Sequence, residues 1–296
     1  MSNLFVKKSI SLLMSHAEDS EKNLKKTLTA TSLIALGIGA IIGAGLFVRT
    51  AAAAAQNAGP SVTIGFIIAA IGCALAGLCY AELSSSIPIA GSAYTYSYAT
   101  MGELVAWMIG WDLVLEYAVG AATVGIAWAE YLNNLLTNVL HLPPIPYEWC
   151  HSPFEMSVSG VHGIINLPAL FIVSLLSLLL IRGTHESAIV NNLIVVAKVT
   201  IVILIIATGW HFINPANHAV YIPEPSVYVD HQGISHSYGG IMGILGAAGV
   251  VFFAFIGFDA VSTAAQEAKN PERDMPIGIL GSLVICTVLY ILFAHV

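Results

Sequence analysis

Leu-Gly-Ile-Gly-Ala-Ile-Ile-Gly-Ala-Gly-Leu-Phe, residues Leu36 to Phe47, sets four glycines inside a run otherwise apolar enough to cross a membrane. Each glycine costs a helix about 1 kcal/mol relative to alanine, and a cluster of them frees the backbone to leave helical geometry. In lipid, backbone groups released from a helix must find other partners, so an interrupted span survives only where it is packed in protein or lines a cavity. Half-helix ends that meet at one spot then offer N–H groups and a positive dipole end to an anion, and free carbonyls to a cation. A simpler reading competes: Gly39 and Gly43, spaced as small-xxx-small, only let two helices approach closely. The stretch alone leaves both open.

Working outward, 57% of the 296 residues are hydrophobic and 9% are charged, against about 25% charged in soluble domains. The chain therefore reads as an all-α polytopic membrane protein of about seven spans. A basic, Lys-rich segment over 1–29 precedes a transmembrane domain over 30–296, with no cleavable signal peptide. Leu4 to Met14 suits either an amphipathic helix on anionic headgroups or a solvated tail. The expected spans are Ala30–Ala52, Val62–Leu83, Leu104–Leu135, Ile164–Ile181, Ile189–Trp210, Ile241–Ala264 and Ile277–Ala294. Small residues on one side of the second (Gly65, Ala69, Gly72, Ala76, Gly77) suggest an interior helix. The N-terminal lysines, Arg182, Lys269 and Arg273 then fall on one side and Arg49 alone on the other, which places the N-terminus in the cytosol of a cell with the chain in its inner, or plasma, membrane. Four scattered cysteines read as unpaired.

Ionisable groups within spans cost about 2.5 to 3.5 kcal/mol each on insertion scales and need a partner or a purpose. Asp112 and Glu116 lie four apart on one face of the third span, Lys198 sits in the fifth and Asp259 in the sixth. A lysine facing the two acids would relieve them, either as a buried pair that specifies packing or as a group that releases its proton during a cycle. The loop histidines show no metal-ligand spacing, and no nucleophile, base and oxyanion set appears, so neither a metal nor an enzyme is expected. The glycine run looks like a dinucleotide fingerprint but follows no strand. No span repeats a polar face, which argues against a channel.

Four motifs carry a resemblance: Gly37 to Phe47; Glu82 with Pro88, Gly91, Tyr94 and Tyr96; Phe252-Phe-Ala-Phe-Ile-Gly-Phe-Asp259; and Glu267-Ala-Lys-Asn-Pro-Glu-Arg-Asp-Met-Pro276. In this order and at these spans the chain resembles an amino acid permease of the APC superfamily, nearest the cationic amino acid transporter branch with its bacterial relatives. The resemblance implies an inverted-repeat transporter fold, here the first five-span repeat and the first two spans of the second, with the first and sixth spans broken at the midplane. It implies that a substrate carboxylate meets Gly43, Ala44 and Gly45, just after Ile41, and that the α-amino group meets carbonyls of Phe253, Ala254 and Ile256. Ala44 stands where many relatives carry a hydroxyl, which leaves only backbone for the carboxylate. Lys198 matches the lysine that replaces a sodium ion in proton-coupled relatives, and Glu116 and Asp259 match acids assigned to proton coupling or to a cationic side chain.

The function implied is proton-coupled uptake of cationic or small neutral amino acids by alternating access. The proton is the coupling ion, no cofactor is needed, and the partners are amino acid and lipid with no nucleic acid; oligomeric state is not legible. Family members have about twelve spans, so a C-terminally truncated, non-transporting subunit that acts through protein contacts is the alternative.

Overall fold

A computed structural model describes residues 6–18, 26–157, 160–182, 184–229 and 235–296; the side chains of 16–18, 182 and 184–191 lie outside the described set as well. Leu4, two of the N-terminal lysines (Lys22 and Lys25) and one of the loop histidines (His231) are outside the described residues.

Thr29 starts the first interrupted helix. Its Oγ1 accepts from Ser32 N at 3.4 Å, giving a donor that the helix end would leave over a partner. The chain forms α1 (Ile10–Glu18), α2 (Ala30–Ile41), a wide turn of π-helix (Gly45–Arg49), α3 (Thr50–Ala53) and α4 (Val62–Ser86). Next come α5 (Ser92–Thr100), α6 (Glu103–Asn134), α7 (Leu167–Arg182), α8 (Thr184–Gly209), strands β1 (Ser226–Val229) and β2 (Ser235–Tyr238), α9 (Gly240–Phe252), a 3-10 stretch (Phe258–Glu267) and α10 (Pro271–His295).

Among the described residues five helical runs are long and apolar enough to cross a membrane: Gly45–Ser86, Glu103–Val139, Asn192–Phe212, Gly240–Glu267 and Pro271–His295. About 20 residues suffice for one crossing, so the 42-residue run Gly45–Ser86 holds the second half of the first expected span and all of the second, turning at Gly59, where φ is +56°. Ala30–Ile41 and Leu167–Ile181 are apolar but shorter. The polytopic helical architecture stands, and the two short helices account for the difference from seven.

Two connections between the spans carry structure of their own. The uncharged connection after α4 is helical in part: Gly91 at φ +141° turns the chain, and Ile87, Ile89 and Tyr96 bury together below it. The loop before α9 contains an antiparallel ribbon pairing Val227 with Ser237 and Tyr228 with His236. Alternation in Ser-Val-Tyr-Val and Ser-His-Ser-Tyr suits strands, and the Tyr228 and His236 rings stack across them at 5.3 Å.

The chain divides into two compact units, residues 1–110 with 191–296, and residues 111–190. In the first, α2, α4, α9 and α10 enclose a core containing Leu33, Ile42, Leu46, Phe66, Phe255, Met275, Ile279 and Tyr290. Phe66, Phe255 and Tyr290 form a mutual aromatic cluster with centroids 5.2 to 6.2 Å apart. The helix expected to be interior, α4, is buried on one face only: Phe66, Ala69, Cys73, Gly77 and Ala81 point inward, while Ile71 and Leu75 on the other side are 58% and 63% exposed. Small residues earn their place by contact. A Cβ at Gly37 would meet the Ser282 hydroxyl, and would stand 2.6 Å from Ser282 Cβ and 2.9 Å from Val261 Cγ2. Overpacking of this kind costs about 1 to 3 kcal/mol, so Gly37→Val is expected to lower the unfolding temperature of the purified protein, measured by tryptophan fluorescence.

In the second unit, Asn166 caps α7 by accepting from Ala169 N at 3.0 Å, which moves the start of that helix from the expected Ile164 to Leu167. Gly125 of α6 faces Val173 and Ala169 of α7. All four cysteines are free thiols.

Candidate functional site

The first break opens where the last rung of α2 closes from Ile42 N to Ile38 O at 2.9 Å. Ile42 then takes φ −72° and ψ 105°, an extended conformation, and the helix resumes at Gly45. The carbonyls of Gly39 and Ile41 are left beyond the ladder, as at any helix C-terminus. The N–H groups of Gly43, Ala44 and Gly45 stand at the start of the next segment, and no bond outside the regular ladders is donated by them among the described residues. Gly43 is half-buried, and a Cβ built on it meets nothing within 4 Å.

The second break lies opposite the first. After α9 the turn Phe253–Phe255 ends at Ile256, with ψ 135°, and Gly257 sits at φ +111°. A side chain there would be strained, and a Cβ would stand 2.8 Å from Ala40 O. At Gly45 a Cβ would run into the Ala254 backbone, whose N lies 2.9 Å away. Two glycines thus bring the interrupted helices into backbone contact. Close packing is served by Gly45 and Gly257, not by Gly43 of the small-xxx-small pair, which stays open.

Lys198 is half-buried on α8, and its Nζ donates to Gly39 O at 2.9 Å. The lysine therefore satisfies a backbone carbonyl that the break has released. Asp112 and Glu116 are exposed on α6, in the other unit. Asp259 is buried at 6% exposure in the first turn after the second break.

Of the three carbonyls expected to meet an α-amino group, Phe253 O accepts from Ile256 N at 3.4 Å. Ala254 O accepts from the Tyr290 hydroxyl at 2.9 Å, and the same hydroxyl lies 2.9 Å from Ile41 O. Tyr290 was missed in the sequence because a tyrosine in an apolar span carries no mark of its contacts. Ile41, Gly43, Ala44, Gly45, Phe253, Ala254, Ile256, Lys198 and Asp259 all belong to one unit.

The remaining motifs support the breaks from below. Thr27 N and Leu28 N donate to Glu267 O at 3.0 and 2.9 Å, and Lys269 N returns to Leu28 O at 2.9 Å. Leu28 and Ala268 form a parallel bridge. Asn270 caps α10, accepting from Asp274 N at 2.7 Å, while Asp274 Oδ2 accepts from Asn270 N at 3.2 Å. In the loop motif, burial pushes the Tyr96 hydroxyl up to about 12, and its ring meets Tyr80, which in turn meets Phe258 at 5.6 Å.

The sequence model of a family described as amino acid permease matches residues 28–296. A methylthioribose transporter and the branched-chain amino acid permease BcaP, both of Bacillus subtilis, are each 44% identical to the chain over 292 and 290 residues. These matches cover 98% of this chain and 58% of each relative. Cationic amino acid transporter 9, chloroplastic, of Arabidopsis thaliana is 40% identical over 273 residues, 92% of this chain and 45% of the relative. The chain spans about half the length of the curated relatives it matches.

Proposed function

The chain belongs to the amino acid permease family, and from that membership we propose that it binds an amino acid at the paired helix breaks and carries it across the plasma membrane by proton-coupled alternating access. The observation that carries the binding site is the open space at Gly43 beside three ungathered N–H groups. A carboxylate placed there meets the N-terminal end of a helical segment, the end that favours an anion. The α-ammonium then falls toward the carbonyls of the second break, and each charge faces the dipole sign it requires.

Lys198 supplies the coupling. Protonated, it holds Gly39 O and neutralises the C-terminal end of α2; deprotonated, it lets that end go. Lysine suits this use because a partly buried ammonium gives up its proton more readily than guanidinium does. Asp259, in the same unit as the breaks, is the acid available there for proton exchange or for a cationic side chain. Named relatives handle branched-chain and cationic amino acids, so the substrate class extends over both, with the N-terminus in the cytosol as the positive-inside rule requires.

The test is uptake of radiolabelled L-leucine, L-alanine and L-arginine into proteoliposomes with an imposed pH gradient, paired with equilibrium binding to the purified chain. Saturable binding and gradient-driven accumulation are expected. Binding without accumulation would remove the transport half of the proposal, and absence of both would remove the site.

A further inference from the structure

One buried hydroxyl joins the two broken helices. Tyr290, fully buried on α10, directs its oxygen between Ile41 O and Ala254 O, 2.9 Å from each. These carbonyls end the first half of one interrupted helix and the first half of the other. Both are negative dipole ends, and left alone in an apolar core they would repel one another and lack a donor. A tyrosine has one proton to give, and it is shared between them. The ring is fixed on two sides by Phe66 and Phe255, so the hydroxyl has no freedom to swing away.

We infer that Tyr290 is the positioning residue of the amino acid site: its shared proton holds Ala254 O in place to receive the substrate's α-ammonium, and so makes the site select amino acids over acids that lack that group. The inference rests on the amino acid reading above. When the ammonium arrives, its own N–H takes Ala254 O and the Tyr290 proton settles on Ile41 O, so each carbonyl keeps a donor. The carboxylate half of the site, at Gly43, Ala44 and Gly45, has no contact with Tyr290 in this scheme. The signature is therefore specific: loss of the hydroxyl weakens ligands through their ammonium and not through their carboxylate.

The experiment is equilibrium binding to the purified chain of L-alanine, L-leucine and L-arginine, each beside its 2-hydroxy analogue, in wild type, Tyr290→Phe, and a variant carrying 4-aminophenylalanine at position 290. In wild type the amino acid is preferred. In Tyr290→Phe that preference is expected to fall at least tenfold while binding of the 2-hydroxy acid changes less than threefold. The aminophenyl variant, whose N–H donors sit where the hydroxyl was, restores the preference. Equal weakening of both ligand classes in Tyr290→Phe, or an unrestored preference in the aminophenyl variant, would overturn the assignment and leave Tyr290 a packing residue. Should Tyr290→Phe fail to fold, the aminophenyl variant alone decides: a preference kept within threefold of wild type supports the role, and a lost one refutes it. A wild-type chain that binds none of the three amino acids refutes the amino acid site itself, a distinct result from a site that binds without regard to position 290.

Discussion

Uptake by a Lys198→Ala variant is expected to fall about 10- to 100-fold and to lose its response to an imposed pH gradient, while the protein remains folded. The magnitude follows from one charge-assisted hydrogen bond, the 2.9 Å contact to Gly39 O, worth about 1.5 to 3 kcal/mol, at 1.4 kcal/mol for each factor of ten. Lys198→Arg sharpens the test. Arginine keeps the positive charge and reaches a carbonyl, but it does not give up a proton in this environment. It should therefore preserve substrate binding and abolish the gradient response. A Lys198→Arg variant that still accumulates substrate against the pH-clamped control would show that the proton travels by another route, with Asp259 the first residue to examine.

The second large effect is expected at Gly43→Val. The glycine has nothing within 4 Å of its Cβ position, and its φ is not among the positive values of this chain, so a β-branched residue enters without strain and without displacing a neighbour. What it would displace is the carboxylate proposed to bind there. Three heavy atoms fill the space in front of the N–H groups of Gly43, Ala44 and Gly45, and amino acid binding should drop at least 100-fold with the unfolding temperature unchanged. The breaks cannot shift to make room, because Gly45 already rests against the Ala254 backbone and Gly257 against Ala40 O. Unaltered affinity in a folded Gly43→Val protein would place the carboxylate elsewhere.

Both predictions rest on features that differ in how plainly the sequence announces them. The breaks were legible in part: the four glycines from Gly37 to Gly45 offered an interruption as one of two readings, and the second break, in the Phe252 to Asp259 run, came only with the family resemblance. The partner of Lys198 was not. Two acids on α6 are visible as letters, whereas Gly39 O, the group the ammonium meets, is a backbone atom that every residue shares. Tyr290 escaped for the same reason, since both of its acceptors are carbonyls. The helix α5 lacks an apolar period of its own and forms because Gly91 turns the chain and Tyr96 finds a pocket with Ile87 and Ile89. The ribbon before α9 is four residues a side, too short for alternation to stand out among serines. The number of long helical runs differs from the number of expected spans for another reason: a single run can pass through a turn, as Gly45–Ser86 does at Gly59.

The pairing of Leu28 with Ala268 reaches beyond the local hydrogen bonds. It fastens the start of α2 to the end of the Phe258–Glu267 stretch, and the same two segments meet again at Ala40 and Gly257. The other halves are fastened likewise, with Gly239 N donating to Asn57 O at 2.7 Å where α9 begins and the first interrupted helix ends. The two interrupted helices are thus joined at three levels, at both outer ends and at the breaks between them. A ligand at the proposed site would therefore sit at the middle of three joints, where a few hydrogen bonds bear on all four half-helices at once.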